Sequence, residues 1–145
     1  EGSLTDGEFQ IMKGHVRHGS DIIRGYPWLN DCLDVVLHHH EKFDGTGYMA
    51  GLKGMEIPIN ARIFAVADVF DALTSVRPYK GALSYDETMD IMKKGRGSHF
   101  DPDIIDRLFM IGEDLYREIC EADEGRLRKI LRENIRPLFN DDQIL

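Results

Sequence analysis

The stretch His38-His39-His40-Glu41-Lys42-Phe43-Asp44-Gly45-Thr46-Gly47-Tyr48 sets three of the chain's six histidines side by side and follows them with a glycine-punctuated run. It reads as the end of a helix opening onto a loop. Neutral imidazole is the commonest metal-ligand side chain near neutral pH. Adjacent residues on a helix point about 100° apart. Neighbouring histidines on a helix therefore chelate one ion poorly, but each can face a different ion of a cluster. The run suggests a multinuclear metal site more than a lone structural zinc. Taken alone, it suits a solvated helix end or a pair of packed histidines equally well.

Outward from this stretch the pattern is helical. Thr5 and Glu8 have the spacing of a capping box, with Leu4 and Phe9 as its hydrophobic staple. Phe9, Met12, Val16, Gly19 and Ile23 follow at helical spacing until Gly25-Tyr26-Pro27 ends the run. A second helix is expected over residues 29–40, with Leu33, Val36, Leu37 and His40 on one face. Residues 41–58 hold four glycines and no strand periodicity, and loops of that length in compact domains are usually functional or disordered. A third helix, 60–74, is apolar nearly all round, which predicts a central, buried position. Ser84 and Glu87 open a short helix ending near Gly95. Asp101-Pro102 starts the next helix, with Pro102 at its first position. A last amphipathic helix spans 124–135, with Leu127, Ile130 and Leu131 predicted inward. No repeat or convincing strand is visible, and the fold class is all-α.

The 145 residues suit one domain with a sizeable core. Hydrophobic content of 42% and charged content of 30% are ordinary for a globular chain. No apolar run approaches a membrane span, and no leader pattern precedes the first helix. A cytoplasmic protein is expected. With 18 basic and 26 acidic residues the net charge is −8, a poor match to duplex nucleic acid. A small anionic substrate is compatible if cations dominate its pocket. Cys32 and Cys120 form no CxxC and read as reduced, half-buried thiols.

Asp68 stands inside the apolar third helix, where a carboxylate is costly unless paired or metal-bound. Metal ligation is one reading; capping a neighbouring helix or pairing with an arginine is another. Asp71, one turn on, is either a supporting residue or a partner for Arg77. His15 lies beside the apolar stripe of the first helix, where a single histidine is more often a boundary residue. His18 and His99 read as surface positions. Arg77-Pro78-Tyr79-Lys80 sets two cations three residues apart in a loop; the Arg fork and Lys point charge suit phosphate, as they also suit a solvated loop with Arg77 on Asp71.

Together, HHHEKFDGTGY (38–48), EIPINARIFAVADVFDALTSVRPYK (56–80) and SHFDP (98–102) closely resemble the HD-GYP family of bacterial signalling phosphodiesterases. The opening LTDGEFQIMKGHVRHG (4–19) looks like the family segment that precedes them. The resemblance covers roughly residues 1–110 of a single domain portion, with 111–145 as a C-terminal helical extension. It implies a helical bundle of the HD-type phosphohydrolase class. It also implies hydrolysis of cyclic di-GMP at two or three divalent ions, iron or manganese in type. Carried over by position, the resemblance makes His15, His39, His40 and Asp68 metal ligands and leaves His38 as an extra. It makes Arg77, Lys80 and Tyr48 substrate-binding residues, and the Gly47-Tyr48 loop a contact for a diguanylate cyclase. No side chain stands out as a nucleophile, which fits metal-activated water.

Two departures accompany the resemblance. Met49 stands where the family has proline, which removes a φ restraint from the loop. The family's His-Asp dyad lies upstream of the matching segment, and this chain contains no His-Asp dipeptide. The 145 residues alone are therefore expected to bind metal weakly and turn over slowly or not at all. A degenerate module that binds signalling partners without catalysis is the alternative.

Overall fold

The computed structural model describes residues 5–76, 81–120 and 122–136, and these are all-α. Helices α1 (Asp6–Arg24), α2 (Leu33–His38), α3 (Ile59–Thr74), α4 (Tyr85–Lys94), α5 (Pro102–Cys120) and α6 (Glu124–Ile135) follow one another. Among the described residues the β geometry is limited to one isolated bridge, Arg96 with Phe100. No described helix is long and apolar enough to cross a membrane. The chain divides into two compact units, residues Glu1–Leu108 and Phe109–Leu145, with the boundary inside α5.

Local signals set most helix ends. Thr5 Oγ accepts from the Glu8 N–H while the Glu8 carboxylate accepts from the Thr5 N–H, which starts α1. The staple residue Leu4 lies outside the described residues. Ser84 and Glu87 repeat the same reciprocal pair at α4. Asp101 accepts from the Asp103 N–H at 2.8 Å at the start of α5. Each device occupies backbone donors that a helix start leaves unpaired.

The second helix is shorter than expected. Residues Pro27–Cys32 form a 3-10 helix with proline in its opening turn, and only Leu33–His38 are α-helical. Asn30 and Asp31, whose side chains compete with helical hydrogen bonding, fall in the 3-10 part. Helix α3 also departs from expectation. Its buried residues are Ala61, Ala65, Val66, Phe70 and Thr74, while Ile63, Phe64 and Asp68 are exposed. Its neighbours α2 and α4 bury one stripe and leave the other open.

The core of the first unit joins Val16 of α1 to the α3 stripe, with Ile57, Met92, Phe100, Ile105 and Leu108. A buried ion pair links the start of α3 to the start of α5, where Arg62 meets Asp101. Arg62 Nε also donates to the Ile57 carbonyl at 2.9 Å, which fixes the end of the long loop. In the second unit, Asp123 caps α6 through the Arg126 N–H. Leu127 and Leu131 are exposed there, against the inward expectation, and Ile130 is half-buried. The charged pairs Arg128 with Glu124 and Lys129 with Glu133 run along the same helix. Cys32 is an exposed free thiol instead of a half-buried one. The Cys120 side chain lies outside the described residues.

Candidate metal centre

Three imidazoles converge on one point. His15 of α1 meets His39 and His40, and their donor nitrogens all lie within 4.8 Å of one another. His15 Nε2 and His40 Nε2 are 3.0 Å apart. The His15 and His39 ring centres are 5.7 Å apart, and those of His39 and His40 are 4.0 Å apart. The 100° divergence expected of neighbouring helical residues does not keep the two rings apart. Helix α2 ends at His38, His39 is its C-cap with φ −65° and ψ −15°, and His40 lies in the turn beyond. Both rings still reach the same point, with centres 4.0 Å apart.

The backbone selects which nitrogen is free. His15 Nδ1 lies 2.6 Å from the Met12 carbonyl, and His39 Nδ1 lies 2.9 Å from the Val35 carbonyl. A carbonyl only accepts, so each Nδ1 carries the proton and each Nε2 keeps its lone pair. The donor set fits a divalent ion. With metal–nitrogen bonds of about 2.0–2.1 Å, two ligands at right angles sit roughly 3 Å apart, the spacing of the His15–His40 pair.

The imidazole of His40 is held neutral. Burial, then the neighbouring His39 and His15, push its pKa down to about 4, against a smaller upward pull from Asp68. At neutral pH the ring therefore carries a single proton, which the 3.0 Å contact places between His40 Nε2 and His15 Nε2, and an ion bound there takes its place.

Asp68 has a different standing from the histidines. It is exposed on α3, so the cost of burying a carboxylate gives no reason for metal ligation. Its carboxylate is not among the donors grouped within 4.8 Å. It still belongs to this neighbourhood. Phe64, one turn before it, meets the His39 ring edge-on at 5.8 Å, and the charge of Asp68 is felt at both His40 and Tyr48. Asp71 accepts from the Ser75 hydroxyl at 2.9 Å, a contact at the end of its own helix. Arg77 and Lys80 lie outside the described residues.

The glycine loop folds back over the histidines. Tyr48 N–H donates to the His40 carbonyl at 3.3 Å, and its ring stacks on the His40 ring at 4.7 Å. Tyr48 also meets α1, through an edge contact with Phe9 and a hydrogen bond to Met12 Sδ. Burial and the nearby Asp68 raise its pKa. Gly47 makes this path possible, since a Cβ there would lie 2.4 Å from the Lys42 nitrogen and 2.5 Å from Glu41 Cα. The loop is tied down by Glu41, which is 2% exposed. Its Oε1 accepts from the backbone N–H groups of Ala50 and Gly51 at 2.7 and 3.1 Å.

Three contributors were not expected from the sequence. His99, read as a surface residue, is half-buried and stacks on Phe100. Burial and then Lys42 lower its pKa, and its charge acts on His40. The segment before α5 is bound to the loop, with Phe43 and Asp44 donating to the carbonyls of His99 and Ser98. Glu41 was passed over although a lone acid between histidines and glycines was the available signal. Lys13 was not singled out either; its ammonium lies over the rings of Phe9 and Tyr48, at 4.6 and 5.1 Å from their centres. His18 is exposed, as expected.

The family model for the HD domain matches residues 1–104. This chain belongs to the HD domain family. The chain is 42% identical over 133 residues to a probable cyclic di-GMP phosphodiesterase of Vibrio cholerae, covering 85% of this chain and 30% of that protein. It is 43% identical over 121 residues to the cyclic di-GMP phosphodiesterase response regulator RpfG of Xanthomonas campestris, covering 82% and 32%. The 3'3'-cGAMP-specific phosphodiesterase 1 of Vibrio cholerae is 54% identical over 92 residues, covering 63% and 21%. The chain thus spans about a third or less of the length of these HD domain relatives.

Proposed function

We propose that this HD domain is the metal-binding part of a phosphodiesterase that hydrolyses the cyclic dinucleotide cyclic di-GMP. The observation that carries the reading is the convergence of His15, His39 and His40, with two of the rings oriented by backbone carbonyls. Two or three divalent ions, iron or manganese, complete the site, with Asp68 as the carboxylate ligand. When bound, such ions activate water and stabilise charge on phosphoryl oxygens. The His39 and His15 rings need no proton rearrangement to offer Nε2. Asp68 is near enough for its charge to act on His40 and Tyr48, which supports its place in this set. Arg77 and Lys80 hold the non-bridging oxygens in this reading. The relatives named for cyclic di-GMP support the substrate. A cytoplasmic site of action and signalling role follow from that substrate, and a diguanylate cyclase is the partner proposed for the Gly47-Tyr48 loop.

A second substrate has specific support. The 54% match is to a relative named for 3'3'-cGAMP, a dinucleotide that differs from cyclic di-GMP in one base. The test is product analysis with the complete, metal-loaded protein on both dinucleotides. Hydrolysis of one or both is expected, with loss in an Asp68→Asn variant that keeps size and removes charge. Undiminished turnover by that variant removes Asp68 from the site. No hydrolysis of either compound by the wild type, with metal bound, leaves a partner-binding module as the function.

A further inference from the structure

A cyclic dinucleotide carries two phosphodiester anions, and only one can occupy a metal centre at a time. The other must be accommodated by a chain whose net charge is −8. Two cations of the same unit have carboxylate neighbours. Arg62 is paired with Asp101, and Lys42 lies beside Asp44. Lys13 differs: among the described residues it meets aromatic faces and no carboxylate. Its ammonium sits over Tyr48, and the Tyr48 ring stacks on His40. Tyr48 therefore contacts both this cation and the histidine cluster.

We infer that Lys13, held on the Phe9–Tyr48 platform, is a substrate-binding residue that receives the phosphodiester not being cleaved. The inference rests on the cyclic dinucleotide reading above. Cation–π contacts at partly exposed sites are worth about 0.5–1 kcal/mol. That is enough to orient a flexible lysine and too little to prevent it from meeting an anion. Lysine presents a compact charge with three donors, suited to a phosphate oxygen approached from several directions. Phe9 is 37% exposed, so the platform is open to solvent.

The experiment compares two substrate types with the complete, metal-loaded protein. Cyclic di-GMP and 3'3'-cGAMP carry two phosphodiesters; bis(p-nitrophenyl) phosphate carries one. Lys13→Met keeps the apolar stem and removes the charge. It is expected to raise KM for the cyclic dinucleotides about ten- to a hundredfold, with kcat little changed and the small diester unaffected. Lys13→Arg should restore most of the loss. Equal KM values for wild type and Lys13→Met on the cyclic dinucleotides overturn the inference, as does an equal loss on the small diester. A wild type that cleaves the small diester and neither dinucleotide overturns the proposed substrate, and the role of Lys13 with it.

Discussion

His15 and His40 aim their Nε2 atoms at each other across 3.0 Å, while the His15 Nδ1 is fixed to the Met12 carbonyl. Two nitrogens so placed share one proton or one ion. Removing either ring should weaken metal binding by at least the ten- to hundredfold that follows loss of an orienting partner. Titration of His15→Ala and His40→Ala with manganese against a competing chelator measures this. Wild-type affinity in both variants would show that the cluster is a packing arrangement.

The low pKa of His40 gives the metal-free protein a pH dependence of definite sign. The folded value is about 4 and the ordinary value 6.5. Between these values the unfolded chain binds the proton and the folded chain does not, so stability falls as pH falls. A His40→Asn variant has no such group. The gap in melting temperature between wild type and variant should therefore shift against the wild type between pH 6.5 and pH 4. A gap constant across that window contradicts the depressed pKa. Added metal should deepen the loss on acidification, because protons and ions compete for the same ring.

Features encoded within a few residues were legible in sequence. The boxes at Thr5–Glu8 and Ser84–Glu87, the Asp101-Pro102 start and the helical class need only local chemistry. The pairing of His15 with His39 and His40 came through family resemblance, since nothing in the spacing brings residue 15 to residue 40. Other features depend on which neighbours are present. The apolar run of α3 could not reveal that Ile63 and Phe64 stay exposed, because a one-sided stripe and a fully buried helix look alike when both faces are apolar. The break at Cys32 and the turn at His39 reflect small backbone choices within one helical pattern. His99 was misplaced because its position depends on the contact of residues 98 and 99 with residues 43 and 44.

Arg62 and Asp101 should be a stability pair. Their side chains are 9% and 5% exposed, and Arg62 also ties down Ile57. Breaking a buried pair leaves one charge unpaired and typically costs about 3–5 kcal/mol. Arg62→Met is expected to show a loss of that order in urea unfolding. Combining it with Asp101→Asn should recover part of it, because the amide is uncharged and its oxygen can still accept from the Asp103 N–H. A double variant less stable than Arg62→Met would show that the carboxylate charge stabilises the fold without the arginine.

Met49 occupies the position where the HD-GYP pattern has proline, and its φ is +132°. Proline is confined to φ near −65°, so a proline here cannot adopt this backbone. Methionine pays a strain of about 1–3 kcal/mol in sparsely populated regions of this kind. Glycine tolerates positive φ, at the cost of greater freedom when unfolded. Met49→Gly should therefore match or exceed wild-type stability, and Met49→Pro should fall below it, with about 2–8 °C in Tm per kcal/mol. The proline variant has a second consequence. The following N–H groups of Ala50 and Gly51 bind Glu41, and the preceding Tyr48 stacks on His40. A changed φ at residue 49 moves one of these relative to the other. Met49→Pro should then lower manganese affinity along with Tm, whereas Met49→Gly leaves affinity intact. A proline variant as stable as wild type, with unchanged affinity, would mean that the loop holds a negative φ at this position in solution.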